Sequence, residues 1–84
     1  MDHKRKNDLL TALLILGFRQ DKYHSRGGKL VFYSDGRKLT VDSWEMLEEW
    51  LRTKYYNSEV TKARVEFILW PERFERKAFE SKVT

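Results

Sequence analysis

Leu30-Val31-Phe32-Tyr33-Ser34-Asp35-Gly36-Arg37-Lys38-Leu39-Thr40-Val41-Asp42-Ser43-Trp44-Glu45 is the stretch that decides the fold. Leu30 to Tyr33 is β-branched and aromatic, which suits a pleated, half-buried strand. Leu39 and Val41 alternate with Lys38 and Thr40, the period-2 pattern of a strand with one face buried. Asp35-Gly36 between the two runs is a strong hairpin signal, because both residues tolerate positive φ. Asp42 with Glu45 three residues on reads as a reciprocal capping arrangement that opens a helix. Val41 and Met46 stand where a hydrophobic staple would close over that cap.

Outward from this centre the pattern extends both ways. On the C-terminal side Trp44, Leu47, Leu51 and Tyr55 form one stripe at helical spacing, with Trp50 beside it. Glu45, Glu48 and Glu49 lie early in that helix, and Arg52 and Lys54 lie late, as the macrodipole favours. On the N-terminal side Phe18–His24 predicts a weak, mostly polar strand, joined to Lys29–Ser34 through the turn Arg26-Gly27-Gly28. Lys4 to Leu16 predicts a first helix that is apolar almost all round through Leu9, Leu10, Leu13, Leu14, Ile15 and Leu16. Such a helix is buried on more than one side or packs against a partner chain. Gly17 suits a left-handed stop, with Phe18 folding back on Leu13. Lys4, Arg5 and Lys6 stand at the wrong end for the dipole. Either the first turn frays or something outside the helix holds the basic cluster.

Val60–Trp70 fits two periods. Ala63, Val65, Phe67 and Leu69 alternate with Arg64, Glu66, Ile68 and Trp70, and the β-branched and aromatic content tips the reading to a strand. Val60, Ala63, Phe67 and Ile68 also fit a helix. Pro71 ends the element. Glu72–Lys82, with Phe74, Ala78 and Phe79 at helical spacing, predicts a short terminal helix. The expectation is one α+β domain over residues 1–84, in the order α-β-β-β-α-β with a short C-terminal helix, its helices on one face of an antiparallel sheet.

Composition bounds the function. The chain has 84 residues and no cysteine, which excludes disulfides and thiolate metal sites and fits a reducing compartment. Its 3 Trp, 4 Tyr and 5 Phe are a large aromatic endowment for a thin core. No apolar run approaches the ~20 residues of a membrane span. Leu9 to Leu16 after Lys4-Arg5-Lys6 mimics a signal peptide, but it is short and lacks a small-residue cleavage site. A cytoplasmic chain with no membrane association is expected. Net charge is +4. Residues 1–41 hold nine Lys/Arg against four Asp/Glu, while residues 42–84 hold eight against nine. The basic half is therefore the first helix and the hairpins.

Catalytic constellations are weak. His3 and His24 have no paired ligand spacing, so no metal is expected. His24 and Ser25 are neighbours on a strand end and point apart. The glutamates are explained by a helix start, and Asp21, Asp35 and Asp42 by turns and caps. Gly27-Gly28 is not followed by the Lys-Ser/Thr of a phosphate loop. The expectation is no enzyme and no cofactor.

Two binding readings follow. The first is a protein-interaction module, an accessory or inhibitor protein, with Trp50, Ile68 and Trp70 as the interface, since surplus aromatics anchor interfaces. An exposed final strand would also offer pairing with a second copy across a two-fold axis, or addition to a partner sheet. In its economy the chain resembles the small accessory proteins of phages and mobile elements. The second reading is nucleic-acid binding through Arg19, Lys22, Arg26, Lys29, Arg37 and Lys38, with Tyr23 and Tyr33 interleaved. The order of three antiparallel strands and a helix resembles the amino-terminal arm-binding domains of tyrosine integrases. That resemblance implies a sheet laid in the major groove.

Overall fold

In a computed structural model the chain forms α1 (His3–Ile15), β1 (Arg19–Gln20), β2 (Leu30–Ser34), β3 (Arg37–Val41), α2 (Trp44–Thr53) and α3 (Glu59–Leu69). The structure describes residues 1–23, 25 and 27–72. The strands make one antiparallel sheet in the order β1-β2-β3. The class is α+β, as the sequence pattern requires. The terminal helix expected over Glu72–Lys82 lies almost wholly outside the described residues.

The hairpin and the stop of α1 follow local chemistry. Asp35 and Gly36 both take positive φ, +34° and +79°, the signature of a type I′ turn. β2 and β3 then pair in full register from Leu30↔Val41 to Ser34↔Arg37. At the end of α1, Gly17 has φ +88°. Phe18 N–H donates to the Leu13 carbonyl at 2.8 Å and Gly17 N–H to the Leu14 carbonyl at 3.0 Å. Those are the two bonds of a Schellman motif.

The basic start of α1 is held from outside. Asp2 caps the helix by accepting from Arg5 N–H at 2.7 Å. The Arg5 side chain reaches away, donating to the Leu69 carbonyl at 2.5 Å and pairing with Glu48. It thus meets an orphan carbonyl at the C-terminus of α3, where a cation complements the dipole. Lys6 lies over the Trp44 ring, 5.6 Å from its centroid.

Several expectations are corrected. Val60–Trp70 is not a strand: Glu59–Leu69 is helical, capped by Ser58, whose hydroxyl accepts from Thr61 N–H. Val65 and Leu69, four apart, are buried, while Phe67 between them is 60% exposed. The burial period is that of a helix, and α1 is what it packs on. The strand pairing offered to a second copy or a partner sheet from this segment therefore falls away. Next, of the strand expected over Phe18–His24, whose last residue lies outside the described residues, only Arg19–Gln20 is in the ladder. The Asp21 carboxylate accepts from Tyr23 N–H at 3.0 Å, and its carbonyl accepts from Ser25 N–H at 3.0 Å and Ser25 hydroxyl at 2.7 Å. That local bonding turns the chain out of the ladder. Lastly, Ser43, not Asp42, caps α2, accepting from Met46 N–H at 3.1 Å. Val41 stays in the ladder opposite Leu30, and the turn into α2 takes one more residue. The residue three on is then Met46, so no reciprocal box forms. Val41 is buried and Met46 exposed, so they form no staple. Tyr55 also leaves the stripe, since α2 ends at Thr53 and Lys54 is extended.

The core joins Leu9, Ala12 and Leu13 of α1 to Leu30 and Phe32 of β2, Val41 of β3, Leu47 and Leu51 of α2, and Val65 and Leu69 of α3, with Phe18 at the edge. α1 is the central element, in contact with β1, α2 and α3. Its all-round apolar character is thus mostly used within the chain.

Candidate functional site

The sheet register sorts the basic residues by face. Paired residues share a face and alternate along the strand. Leu30 and Phe32 join the core, so Val31 and Tyr33 take the other face, with Thr40 and Lys38 opposite them. Arg19 pairs with Tyr33 in turn. One row across all three strands therefore reads Arg19-Tyr33-Lys38, with each residue exposed. The Lys38 ammonium lies 6.0 Å from the Tyr33 ring centroid. Lys22 and Lys29 are exposed in the loop between β1 and β2. Arg26 lies outside the described residues. Arg37 parts from the row: its guanidinium sits 5.5 Å from the Phe18 centroid, on the helix side.

Trp50, Ile68 and Trp70 are half-buried, each in its own setting. Trp50 meets Phe18 edge to face at 5.9 Å and carries Lys54 over its ring at 5.5 Å. Trp70 has the guanidinium groups of Arg5 and Arg52 at 5.7 and 5.8 Å from its ring. Ile68 lines a shallow groove of about 380 Å³ with Ile15, Ala63 and Phe67, on the seam of α1 and α3. All three side chains pack against the core cluster.

A second groove was not legible in the sequence. It runs between α1 and β1, holds about 360 Å³, and is floored by Leu13 and Phe32. Leu10, Leu14 and Phe18 form its apolar walls, and Arg19, Gln20 and Lys22 its rim. Leu14 is 58% exposed, although α1 is otherwise covered on this side by β1. The missed signal is that Leu14 extends an already complete buried set of Leu9, Ala12 and Leu13.

Around the α2 terminus, charge and burial are coupled. The Tyr56 hydroxyl donates to the Leu51 carbonyl at 2.7 Å, meeting one of the orphan acceptors at the end of α2. Burial, with Glu66 nearby, pushes its pKa up to about 12. Burial and then the Arg37 charge hold Lys54 below the ordinary lysine range.

Among the described residues, no group of three or more His, Asp or Glu side chains could hold a metal. Among those same residues, no helix is long and apolar enough to cross a membrane. Comparison with protein-family models, with curated proteins and with solved structures gives no match.

Proposed function

We propose that this chain is a small, non-catalytic, cytoplasmic protein-interaction module, of the accessory or inhibitor kind, that seats its partner in the groove between α1 and β1. The observation that carries the reading is Leu14, a large apolar side chain left in the open beside an apolar groove with a cationic rim. Central apolar contacts ringed by polar groups are where interfaces concentrate their energy. The reading rests on this groove rather than on Trp50, Ile68 and Trp70, which already have neighbours within the fold. The test is affinity capture from host lysate with nuclease and at high salt. A stoichiometric protein partner retained by the native chain and by Lys38→Glu, and lost with Leu14→Asp, is the expected result. A partner that Leu14→Asp retains would remove the groove from the proposal.

A second reading is favoured by the Arg19-Tyr33-Lys38 row. An exposed row with two cations flanking an aromatic, at the end of a face whose Val31 is covered, suits a phosphate backbone and a stacked or edge-on base. It accords with the sheet-in-groove mode that the strand order suggests. Fluorescence anisotropy with labelled duplex and single-stranded DNA should then show binding that falls steeply with salt, is abolished by Lys38→Glu with Lys29→Glu, and is indifferent to Leu14→Asp.

A further inference from the structure

We infer that the partner is captured as an added β-strand: an extended, acidic segment that hydrogen-bonds to the main chain of Gln20 and drops an apolar side chain into the groove beside Leu14. The inference rests on the interaction-module reading and specifies its ligand.

In an antiparallel pair, residues that exchange hydrogen bonds alternate with residues that do not. Asp21 N–H donates to the Val31 carbonyl at 2.8 Å, which sets Asp21 and Val31 in the bonded phase, although Val31 N–H turns to the Ser25 hydroxyl at 3.0 Å instead of returning the bond. Arg19 and Tyr33, two residues back, are then bonded as well, and Gln20 opposite Phe32 is not. The main-chain N–H and C=O of Gln20 therefore point away from β2, off the free edge of the sheet. Phe18 confirms the phase, because its outward N–H is the one that meets the Leu13 carbonyl. Gln20 presents the next outward pair, and among the described residues neither group has a hydrogen-bond partner.

The groove lies on that same edge and shares Gln20 in its rim. A strand laid beside β1 would place alternate side chains toward the core side, where Leu10, Leu14 and Phe18 wait. Arg19 and Lys22 border it, and among the described residues no carboxylate lines it. Acidic residues flanking the apolar anchor complement that rim. β1 has only two residues, so the edge fixes register and the groove supplies most of the affinity.

The experiment is selection of a displayed random decapeptide library on the purified full chain, followed by titration of the enriched peptides. Enriched sequences should alternate an apolar residue with Asp or Glu. Leu14→Asp should weaken them by at least about 30-fold, the loss of a hot-spot side chain. Methylating the backbone nitrogen of the peptide residue that pairs with Gln20 should weaken binding by at least about 10-fold, without touching the protein. Gln20→Pro removes the outward N–H, which a strand edge tolerates, together with the rim side chain; measured against Gln20→Ala, which removes the side chain alone, it should weaken binding similarly with the fold intact by circular dichroism. Peptides with apolar residues at helical spacing, or binding indifferent to every backbone methylation and to Gln20→Pro, would overturn strand addition while leaving the module reading standing. Indifference to Leu14→Asp would overturn both. Lack of enrichment, enrichment of basic peptides, a dimer by sedimentation that Leu14→Asp dissociates, or displacement by DNA alone would each overturn the acidic-strand ligand.

Discussion

Gly17 carries two requirements at once. Its φ of +88° closes the Schellman motif, and a Cβ built there would stand 3.2 Å from the Ser34 hydroxyl. Gly17→Ala should lower stability in urea unfolding by about 1–2 kcal/mol from the left-handed backbone alone, with a further increment from that contact. In a Ser34→Ala background the increment should shrink and the backbone part persist. Tyr56 gives a pH signature. Its folded pKa, about 12, is raised above the ordinary 10 of an unfolded chain, so the neutral phenol stabilises the fold. That contribution is complete below pH 10 and is lost as the unfolded state ionises between pH 10 and 12. Lys54 acts in the opposite sense: its depressed folded pKa makes the charged form costly, so stability gains as pH rises through its titration. Melting temperatures of native and Tyr56→Phe chains should therefore converge between pH 10 and 12, with the variant lower by the equivalent of about 1 kcal/mol near neutrality.

Among the elements, α3 separates period from propensity. Alternation put Ala63, Val65, Phe67 and Leu69 on one face, and a strand would make them equivalent. The helix buries Val65 and Leu69 and exposes Phe67. Leu69→Ala should cost about 2–5 kcal/mol, while Phe67→Ala should lie within about 0.5 kcal/mol of the native chain. Equal costs in chemical denaturation would contradict the packing described. Arg5 ties three helices together, so Arg5→Gln should destabilise by about 1.5–3 kcal/mol, and a double-mutant cycle with Glu48→Gln should show coupling. The hairpin, the α1 stop and the α2 stripe around Leu47 and Leu51 were legible because each is decided within a few residues. α3 was less so, since positions 65 and 69 satisfy both periods and only the Ser58 cap distinguishes them. β1 was overextended because Asp21 draws nearby donors to itself. The basic residues were legible as charges. Their division between faces was not, because it depends on pairing Arg19 with Tyr33 and Tyr33 with Lys38. The groove depends on Leu10 and Leu14 meeting Phe32 across the fold, a contact no local pattern encodes.

For the whole molecule, a thin core makes each element necessary. Small domains have a modest stability margin, of order 5–15 kcal/mol in general. Without α3, the buried face of α1 formed by Leu9, Ala12 and Leu13 would lose part of its cover. A chain cut after Asn57 should therefore show no cooperative thermal transition and should bind a hydrophobic dye. At this scale the charge asymmetry also resolves spatially. Arg19, Lys29 and Lys38 attach to the sheet and its loops, Lys38 beside the exposed Tyr33 ring, while Arg5, Lys6, Arg37, Arg52 and Lys54 are engaged by aromatic rings or carboxylates nearer the helices.

The packing of α1 on α3 sets an order of events during synthesis. α1 leaves the ribosome first, yet the face it needs arrives more than forty residues later in the chain. At about 5–20 residues per second the leucine-rich helix waits for seconds without its partner. Over that interval the side of α1 that α3 covers stays open, and the arrival of Val65 and Leu69 is what closes it.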